Sequence, residues 1–213
     1  MKLLLGLILI ILLGSNIFAA EIVDTKEYFP IDQPHGYTVY DGASMQQIEY
    51  QGKSMLEKRP IYIITKTVIT ASQPGVKKEV FAYNNDGDIC YLGYIQNDTG
   101  KVKWEKKPSI RLKGKMEIGK SYTIAVLEGN KGKVSLTLKG FRNFKLKKGY
   151  SRCLVIERYT NLNKKIAPGS MDLKDIYYYA KNIGVVKYES IIYRLKNGKL
   201  TQDGVAMSEW IVN

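Results

Sequence analysis

The feature that most constrains the fold of this chain is a set of four turn-forming clusters that separate short apolar runs. Each cluster combines Asn or Asp with a nearby Gly, and the clusters lie at 84–87, 97–100, 129–132 and 196–198. Asn-Gly and Asp-Gly steps suit tight hairpin turns, because these residues tolerate the positive φ angles that such turns require. The clusters therefore predict consecutive strands joined by short turns.

The runs between the clusters have the composition and the period of β-strands. In 122–126 and 134–138, larger apolar residues alternate with small or polar ones, which buries one face of a strand and exposes the other. Other runs are rich in the β-branched and aromatic residues typical of strands, at 61–64, 67–70, 80–83, 89–95, 154–156, 185–186 and 191–193. About ten to twelve strands with short loops predict an antiparallel sheet, sandwich or barrel.

Helix signals are sparse. The one candidate is 170–175, where Ser170 and Asp172 suit the first turn of a short helix. Residues 46–56 show no helical stripe, and Gly52 interrupts them. The sequence therefore predicts an all-β fold with a minor helical contribution.

The first 20 residues have the three parts of a secretory signal. Lys2 supplies the positive end, 3–13 form an apolar run, and Ala19 and Ala20 offer a cleavage site after either residue. The alternative is an uncleaved anchor, although the run is shorter than the roughly 20 apolar residues of a membrane span. Cleavage leaves 21–213 as one β domain with a single core. Since no Cys stands directly after the cut, where a lipid would be attached, we expect an exported, periplasmic or extracellular product that is not lipid-anchored.

The mature chain is basic. Lys2 is the only charged residue among the first 20, so the remainder carries 32 Lys and Arg against 20 Asp and Glu, a net charge of +12. Such a charge attracts anionic partners, which in an envelope include phospholipid headgroups and acidic polymers. The alternative is a Lys-rich solvated surface, which the spread of the basic residues favours. We expect no nucleic acid partner, because the signal directs the chain out of the cytoplasm.

The two cysteines, Cys90 and Cys153, leave two interpretations open. In an oxidising compartment they can form one disulfide, which closes a long loop and contributes roughly 4 kcal/mol if it is unstrained. Each cysteine also lies in an apolar, strand-like run, where a free thiol packs as a small hydrophobic side chain.

No cluster of residues carries a catalytic or metal-binding signature, so we expect neither enzymatic activity nor a cofactor. The single histidine, His35, lies in a turn-like setting, and one His with two distant Cys does not suit a zinc site. Four carboxylates are candidates for acid–base catalysis: Asp86, Asp88, Glu105 and Glu157. Their spacing does not predict that any two of them form a catalytic pair.

Tyrosine is unusually frequent, with 16 residues, and is densest at 177–179. In a strand, Tyr178 faces opposite to Tyr177 and Tyr179. Tyrosine rings suit half-buried strand surfaces, and they also stack on sugars or line a groove for acyl chains. On the second interpretation, the candidate ligand-facing residues are Tyr122, Tyr177, Tyr178 and Tyr179.

Four segments, in order, resemble the motifs of an uncharacterised family of exported bacterial β-rich proteins and lipoproteins. They are 28–40, which begins Tyr-Phe-Pro; 112–122, which ends Gly-Lys-Ser-Tyr; 144–155, which contains Gly-Tyr-Ser-Arg-Cys; and 178–187, which reads Tyr-Tyr-Ala-Lys-Asn-Ile-Gly-Val-Val-Lys. Tyr122 stands where the family usually has Trp, and Lys181 and Asn182 replace its Pro-Gly.

The resemblance implies architecture: a strongly curved antiparallel sheet, half-barrel or barrel-like, similar to the half-barrels that carry lipids or lipoproteins across the periplasm. Gly184 is expected to mark a bend or bulge that leads into Val185. The leading hypothesis is a non-enzymatic envelope protein that binds a lipid or other amphiphile in a curved sheet. The alternative is a basic interaction module that docks to an anionic envelope surface. Neither hypothesis specifies an oligomeric state.

Overall fold

The computed structural model describes residues 20–40, 45–69, 75–146, 149–162, 171–196 and 199–209. The signal segment, apart from Ala20, therefore lies outside the described residues. So do Ser170 of the candidate helix and residues 197–198 of the last turn cluster. Within the described ranges, no helix is long and apolar enough to cross a membrane.

The described residues form fourteen strands and two short 3-10 helices, Lys26–Tyr28 and Glu128–Asn130. The strands are β1 Ile22–Asp24, β2 His35–Tyr40, β3 Met45–Leu56, β4 Arg59–Val68, β5 Gly75–Tyr83, β6 Ile89–Ile95, β7 Val102–Leu112, β8 Lys115–Glu117, β9 Ser121–Leu127, β10 Gly132–Leu146, β11 Gly149–Leu162, β12 Asp172–Ala180, β13 Gly184–Lys196 and β14 Lys199–Glu209.

All pairings between these strands are antiparallel, and they build two six-stranded sheets in chain order. The first sheet runs from β2 to β7 and the second from β9 to β14, while β1 pairs with β8 in a small third sheet. The prediction of an all-β antiparallel fold is confirmed. The half-barrel or barrel-like closure is not seen among the described residues, where no sheet is closed or strongly curled. Consecutive hairpins leave β2 and β7 as the edges of one sheet and β9 and β14 as the edges of the other.

The two large sheets pack on each other across one main hydrophobic core. Ile48 and Tyr50 of β3 belong to the same buried cluster as Leu154 and Ile156 of β11. The alternation of side chains along each strand turns every second residue toward this core.

The segment between β1 and β2 enters the space between the sheets. The ring of Phe29 lies edge-on to the rings of Tyr50, Phe81 and Tyr179, at centroid distances of 5.8, 6.0 and 5.9 Å. Because Tyr50 and Phe81 belong to the first sheet and Tyr179 to the second, Phe29 connects the two layers. Aromatic pairs of this geometry contribute about 0.5–1.5 kcal/mol each beyond their buried area.

Several local predictions are confirmed. β6 coincides with the predicted run 89–95, and the clusters at 84–87, 97–100 and 129–132 separate consecutive strands. The expected irregularity near Gly184 is present as a register shift, since Tyr178 pairs with Lys187 and Tyr179 with Val185. Gly184 itself has a φ of +106°.

The candidate helix is wrong for 172–175, which begin β12. Asp172 pairs with Tyr193 of β13, and its carboxylate accepts a hydrogen bond of 3.0 Å from the Leu162 amide of β11. Strand partners on both sides therefore outweigh the local capping signal, a common outcome where tertiary context opposes propensity.

Cys90 and Cys153 are free cysteines, and both are buried. Ile89 and Tyr91 belong to the main core, so alternation turns Cys90 to the outer face of the first sheet. Cys153 belongs to a second apolar cluster on the outer face of the second sheet, while its neighbour Leu154 faces the main core. The two thiols point away from each other across both layers. This geometry is incompatible with a disulfide between them and matches the small-hydrophobe interpretation.

Candidate functional site

A cavity of about 190 Å³ lies between the two large sheets. The first sheet and Phe29 supply most of its wall, and the second sheet supplies the rest. Its lining residues are Phe29, Tyr37, Ile48, Tyr50, Ile64, Lys66, Glu79, Phe81, Arg111, Arg158, Tyr177, Tyr179 and Val185.

The cavity changes from apolar to charged along the strand direction. On β4, the inward positions pass from the buried Ile64 to Lys66, and on β11 they pass from the buried Ile156 to Arg158. The side chains of Lys66 and Arg158 are 38% and 30% exposed. The charged end of the cavity is therefore the end that reaches solvent.

Glu79 is the carboxylate that lines this charged end. Its oxygens lie 2.7 Å from Nζ of Lys66 and 2.9 Å from Nζ of Lys77, and its side chain is only 7% exposed. Burial pushes the pKa of Glu79 up, but the two ammonium groups outweigh burial and lower the pKa. Glu79 is thus a fixed negative charge already matched by two cations.

Arg158 is held from the side by Asp175 of β12. Nη1 of Arg158 lies 3.4 Å from Oδ2 of Asp175, whose side chain is 2% exposed. The other carboxylate oxygen, Oδ1, accepts hydrogen bonds from the hydroxyls of Tyr188, at 2.7 Å, and Ser190, at 2.9 Å. These contacts give the Arg158 guanidinium a defined orientation at the cavity.

Arg111 comes from β7 through a β-bulge. Ile89 pairs with Leu112 and Cys90 with Ile110, so Arg111 is the extra residue. A bulge of this kind re-aims a side chain. Here it places the Arg111 guanidinium 4.9 Å from the centroid of the Tyr91 ring, and Tyr91 belongs to the main core.

The tyrosine hydroxyls at the cavity stay protonated at neutral pH. Burial raises the pKa of Tyr37 to about 12, and it also raises the pKa of Tyr50 and of Tyr179 well above the ordinary value of a tyrosine. Burial also raises the pKa of Tyr177, with help from Asp175 and against the opposing effect of Arg158 and Arg111. The cavity therefore offers neutral hydroxyls as well as cations.

The structure brings together two of the four predicted ligand-facing tyrosines. Tyr177 and Tyr179 line the cavity. Tyr178 lies on the opposite face of the second sheet, in the second apolar cluster, as the alternation predicts. Tyr122 packs against the main core, and its hydroxyl oxygen accepts a hydrogen bond from the Glu117 amide at 3.0 Å.

The charged residues of the cavity are not among the candidate site residues from the sequence, although the spacing of three of them along their strands indicates that they face inward. In three strands a charged residue stands two positions from a core residue and therefore on the same face. The three pairs are Ile64 with Lys66, Phe81 with Glu79, and Ile156 with Arg158. No such signal marks Arg111, because a bulge cannot be read from alternation.

Two of the carboxylates considered for acid–base chemistry, Asp88 and Glu157, do not line this cavity, whereas His35 packs against one of its lining residues. Asp88 pairs with Lys113 at 2.7 Å, and Glu157 lies 3.6 Å from Lys174 on the other sheet. His35 is not a loose turn residue: it begins β2 and stacks on Tyr50, with 4.1 Å between ring centroids. Among the residues with described positions, no group of His, Cys, Asp and Glu is placed to hold a metal ion.

The arrangement suits binding of a molecule with an apolar part and a polar part. Aromatic and aliphatic side chains surround the inner end, and the cations Lys66, Arg111 and Arg158 lie at the open end. No family model matches the chain, and no curated protein or solved structure does either.

Proposed function

We propose that this protein is a non-catalytic binding protein whose ligand is a small apolar or amphiphilic molecule held between the two sheets. The observation that carries the proposal is the cavity itself. Protein interiors are close-packed and contain few voids larger than a water molecule. A space of about 190 Å³ lined largely by aromatic and aliphatic side chains is therefore an exception between these two sheets. An apolar group that fills its inner end removes both its own surface and the lining from water, which is favourable.

The family resemblance implies a ligand held by one curved sheet. In the present proposal the ligand lies between two sheets instead. The proposal keeps the site of action outside the cytoplasm, for which the support is the signal-like segment 1–20. A small-molecule site is usually a mostly apolar cavity in which a small number of polar groups converge on the ligand.

Titration of the mature protein with the neutral probe N-phenyl-1-naphthylamine tests the proposal. The probe fluoresces in apolar surroundings, so one saturable site is expected. Val185→Phe places a larger side chain in the cavity wall and should weaken probe binding at least about tenfold. Val126→Phe makes the same change at a residue that is 66% exposed and should leave binding unchanged. Unsaturable uptake, or equal binding by both variants, would contradict the proposal.

A second candidate function rests on the edge strand β7. Gly93 pairs with Trp104 and Tyr91 with Ser109, so residues 105–108 bulge away from the sheet. Lys106 and Lys107 lie in this bulge and Lys103 lies just before it, paired with Tyr94. All three are exposed, with no ion pair to any described residue. A basic edge of this kind suits an anionic envelope surface.

Vesicle binding over a salt series separates this candidate from the first. Anionic phosphatidylglycerol vesicles should bind the protein more tightly than neutral phosphatidylcholine vesicles, and salt should weaken the binding. Replacing Lys103, Lys106 and Lys107 with Gln should remove the preference. As a control, the same replacement is made at three other exposed lysines: Lys115, Lys139 and Lys145. This control removes an equal charge and should reduce the preference for anionic vesicles less.

A further inference from the structure

Among the described residues, the charged end of the cavity has one cation without a carboxylate partner. Glu79 is paired with Lys66 and Lys77, and Asp175 is paired with Arg158. Arg111 lies over the Tyr91 ring, and no carboxylate of the described residues lies within ion-pair distance of its guanidinium.

The position of Arg111 is built into the backbone. Leu112, the next residue, is 1% exposed and belongs to the main core. Two consecutive residues of a regular strand face opposite sides, whereas the bulge allows Leu112 to enter the core while Arg111 reaches the Tyr91 ring beside the cavity. Arg111 also influences the pKa of Tyr177 and of Tyr179, which lie on the other sheet. Its charge therefore faces across the mouth of the cavity.

We propose that the ligand of this cavity is a single-chain amphiphile with an oxyanion head, a carboxylate or a phosphate, and that Arg111 binds that head. The inference rests on the proposed function and adds the chemical class of the ligand. A guanidinium presents two parallel N–H groups that match the two oxygens of a carboxylate or phosphate.

The neighbours of Arg111 favour the same head group. Four cations, Lys66, Lys77, Arg111 and Arg158, stand against the two carboxylates of Glu79 and Asp175, so a cationic head is repelled. A neutral head leaves Arg111 without a counter-charge. Tyr177 and Arg158 both line the cavity, and burial keeps the Tyr177 hydroxyl protonated by raising its pKa, so this hydroxyl can donate a hydrogen bond to an oxyanion. The apolar lining beyond this point receives the alkyl chain.

Competition against the neutral probe, with ligands of one chain length, tests the inference. The competitors are dodecanoate, dodecyl phosphate, dodecanol and dodecyltrimethylammonium, each below its critical micelle concentration, with acetate and inorganic phosphate as heads without a chain. Dodecanoate or dodecyl phosphate should bind about tenfold more tightly than dodecanol, the discrimination expected of one charge-assisted contact. The cationic amphiphile should bind most weakly, and acetate and phosphate alone should not displace the probe.

Arg111→Met should remove the preference for the anionic amphiphiles, and Arg111→Lys should keep part of it. Arg142→Met removes the same charge from an exposed position on β10 and should keep the full preference. If wild type binds dodecanoate and dodecanol with equal affinity, and Arg111→Met leaves both affinities unchanged, the inference is overturned while the proposed function stands. Failure of all four amphiphiles to displace the probe would overturn both. Displacement by phosphate or acetate alone would show an anion site rather than an amphiphile site.

Discussion

Arg158 on β11 and Asp175 on β12 meet at the open end of the cavity, with 3.4 Å between Nη1 of the guanidinium and Oδ2 of the carboxylate. The two residues are direct cross-strand partners in the register of the second sheet. The carboxylate is almost fully buried, and the hydroxyls of Tyr188 and Ser190 complete its hydrogen bonds. A charged pair therefore forms part of the inner face of a sheet that is otherwise mostly apolar.

Asp175→Asn should destabilise the protein by about 1–3 kcal/mol, because it removes the charge from a buried group with three hydrogen-bond partners and leaves Arg158 unpaired. Urea denaturation followed by circular dichroism measures the change. Asp86→Asn makes the same substitution at an exposed turn residue and should change stability by less than about 0.5 kcal/mol. Equal costs for the two variants would show that the Asp175 network contributes nothing specific.

Glu79 should make stability depend on pH in the acid range. Its pKa in the folded protein lies below the ordinary value of 4.5, because Lys66 and Lys77 outweigh the effect of burial. A lowered folded-state pKa gives stability that is fully present above the unfolded pKa and is lost as pH falls through the folded pKa.

In Glu79→Gln this contribution is absent at every pH. The difference in unfolding free energy between wild type and Glu79→Gln should therefore shrink between about pH 6 and about pH 3. Urea titrations at the two pH values measure it. Glu128→Gln, at an exposed position, provides the control and should show no such change. A difference that stays constant or grows on acidification would mean that Glu79 is not stabilised as an anion.

The two cysteines should remain reduced in the purified protein. Burial raises the pKa of Cys153 to about 11 and also raises the pKa of Cys90, so little reactive thiolate is present at neutral pH. A thiol reagent such as dithionitrobenzoate should react slowly with the native protein. After denaturation without reductant it should titrate two thiols per chain. A monomer that yields none would establish the disulfide and contradict the placement of Cys90 and Cys153 on opposite outer faces.

Gly184 should not tolerate a side chain. Its φ of +106° is unfavourable for other residues, and a Cβ there would lie 2.6 Å from the Tyr50 hydroxyl. Gly184→Ala should therefore cost about 1–3 kcal/mol. In a Tyr50→Phe background the cost should fall by at least about 0.5 kcal/mol, because the clashing oxygen is gone. Gly75→Ala, where a Cβ meets nothing within 4 Å, is the control. Additive effects of Gly184→Ala and Tyr50→Phe would show that this contact is not formed.

The fold class and many strands follow from local sequence, and the reasons are physical. Turn residues such as Asn84 and Gly87 act within a few positions, so their effect is visible without tertiary information. β3 has no clear strand signal in the sequence, because its outward residues are polar and only Ile48 and Tyr50 are large, buried and apolar. The pairing of β12 with two neighbours, which overrides the capping signal of Asp172, is likewise a property of the assembled sheet.

The cavity was only partly predictable. Tyr177 and Tyr179 were singled out by their density, and the alternation correctly set Tyr178 on the other face. Arg158 and Glu79 resemble ordinary surface charges until their same-face relation to Ile156 and Phe81 is considered. Arg111 depends on a register shift between β6 and β7, which arises from the pairing of two strands and has no counterpart in the spacing of residues.

Nuclear Overhauser effects can show directly whether the bound ligand lies between the two sheets. The protein would carry labelled methyl groups on Ile and Val, and the ligand would be dodecanoate. We expect contacts from the alkyl chain to the methyl groups of Ile48, Ile64 and Val185, which line the cavity. We expect none to Val76 or Val126, which are 40% and 66% exposed. Contacts confined to exposed methyl groups, with none at the three cavity residues, would contradict the proposed function.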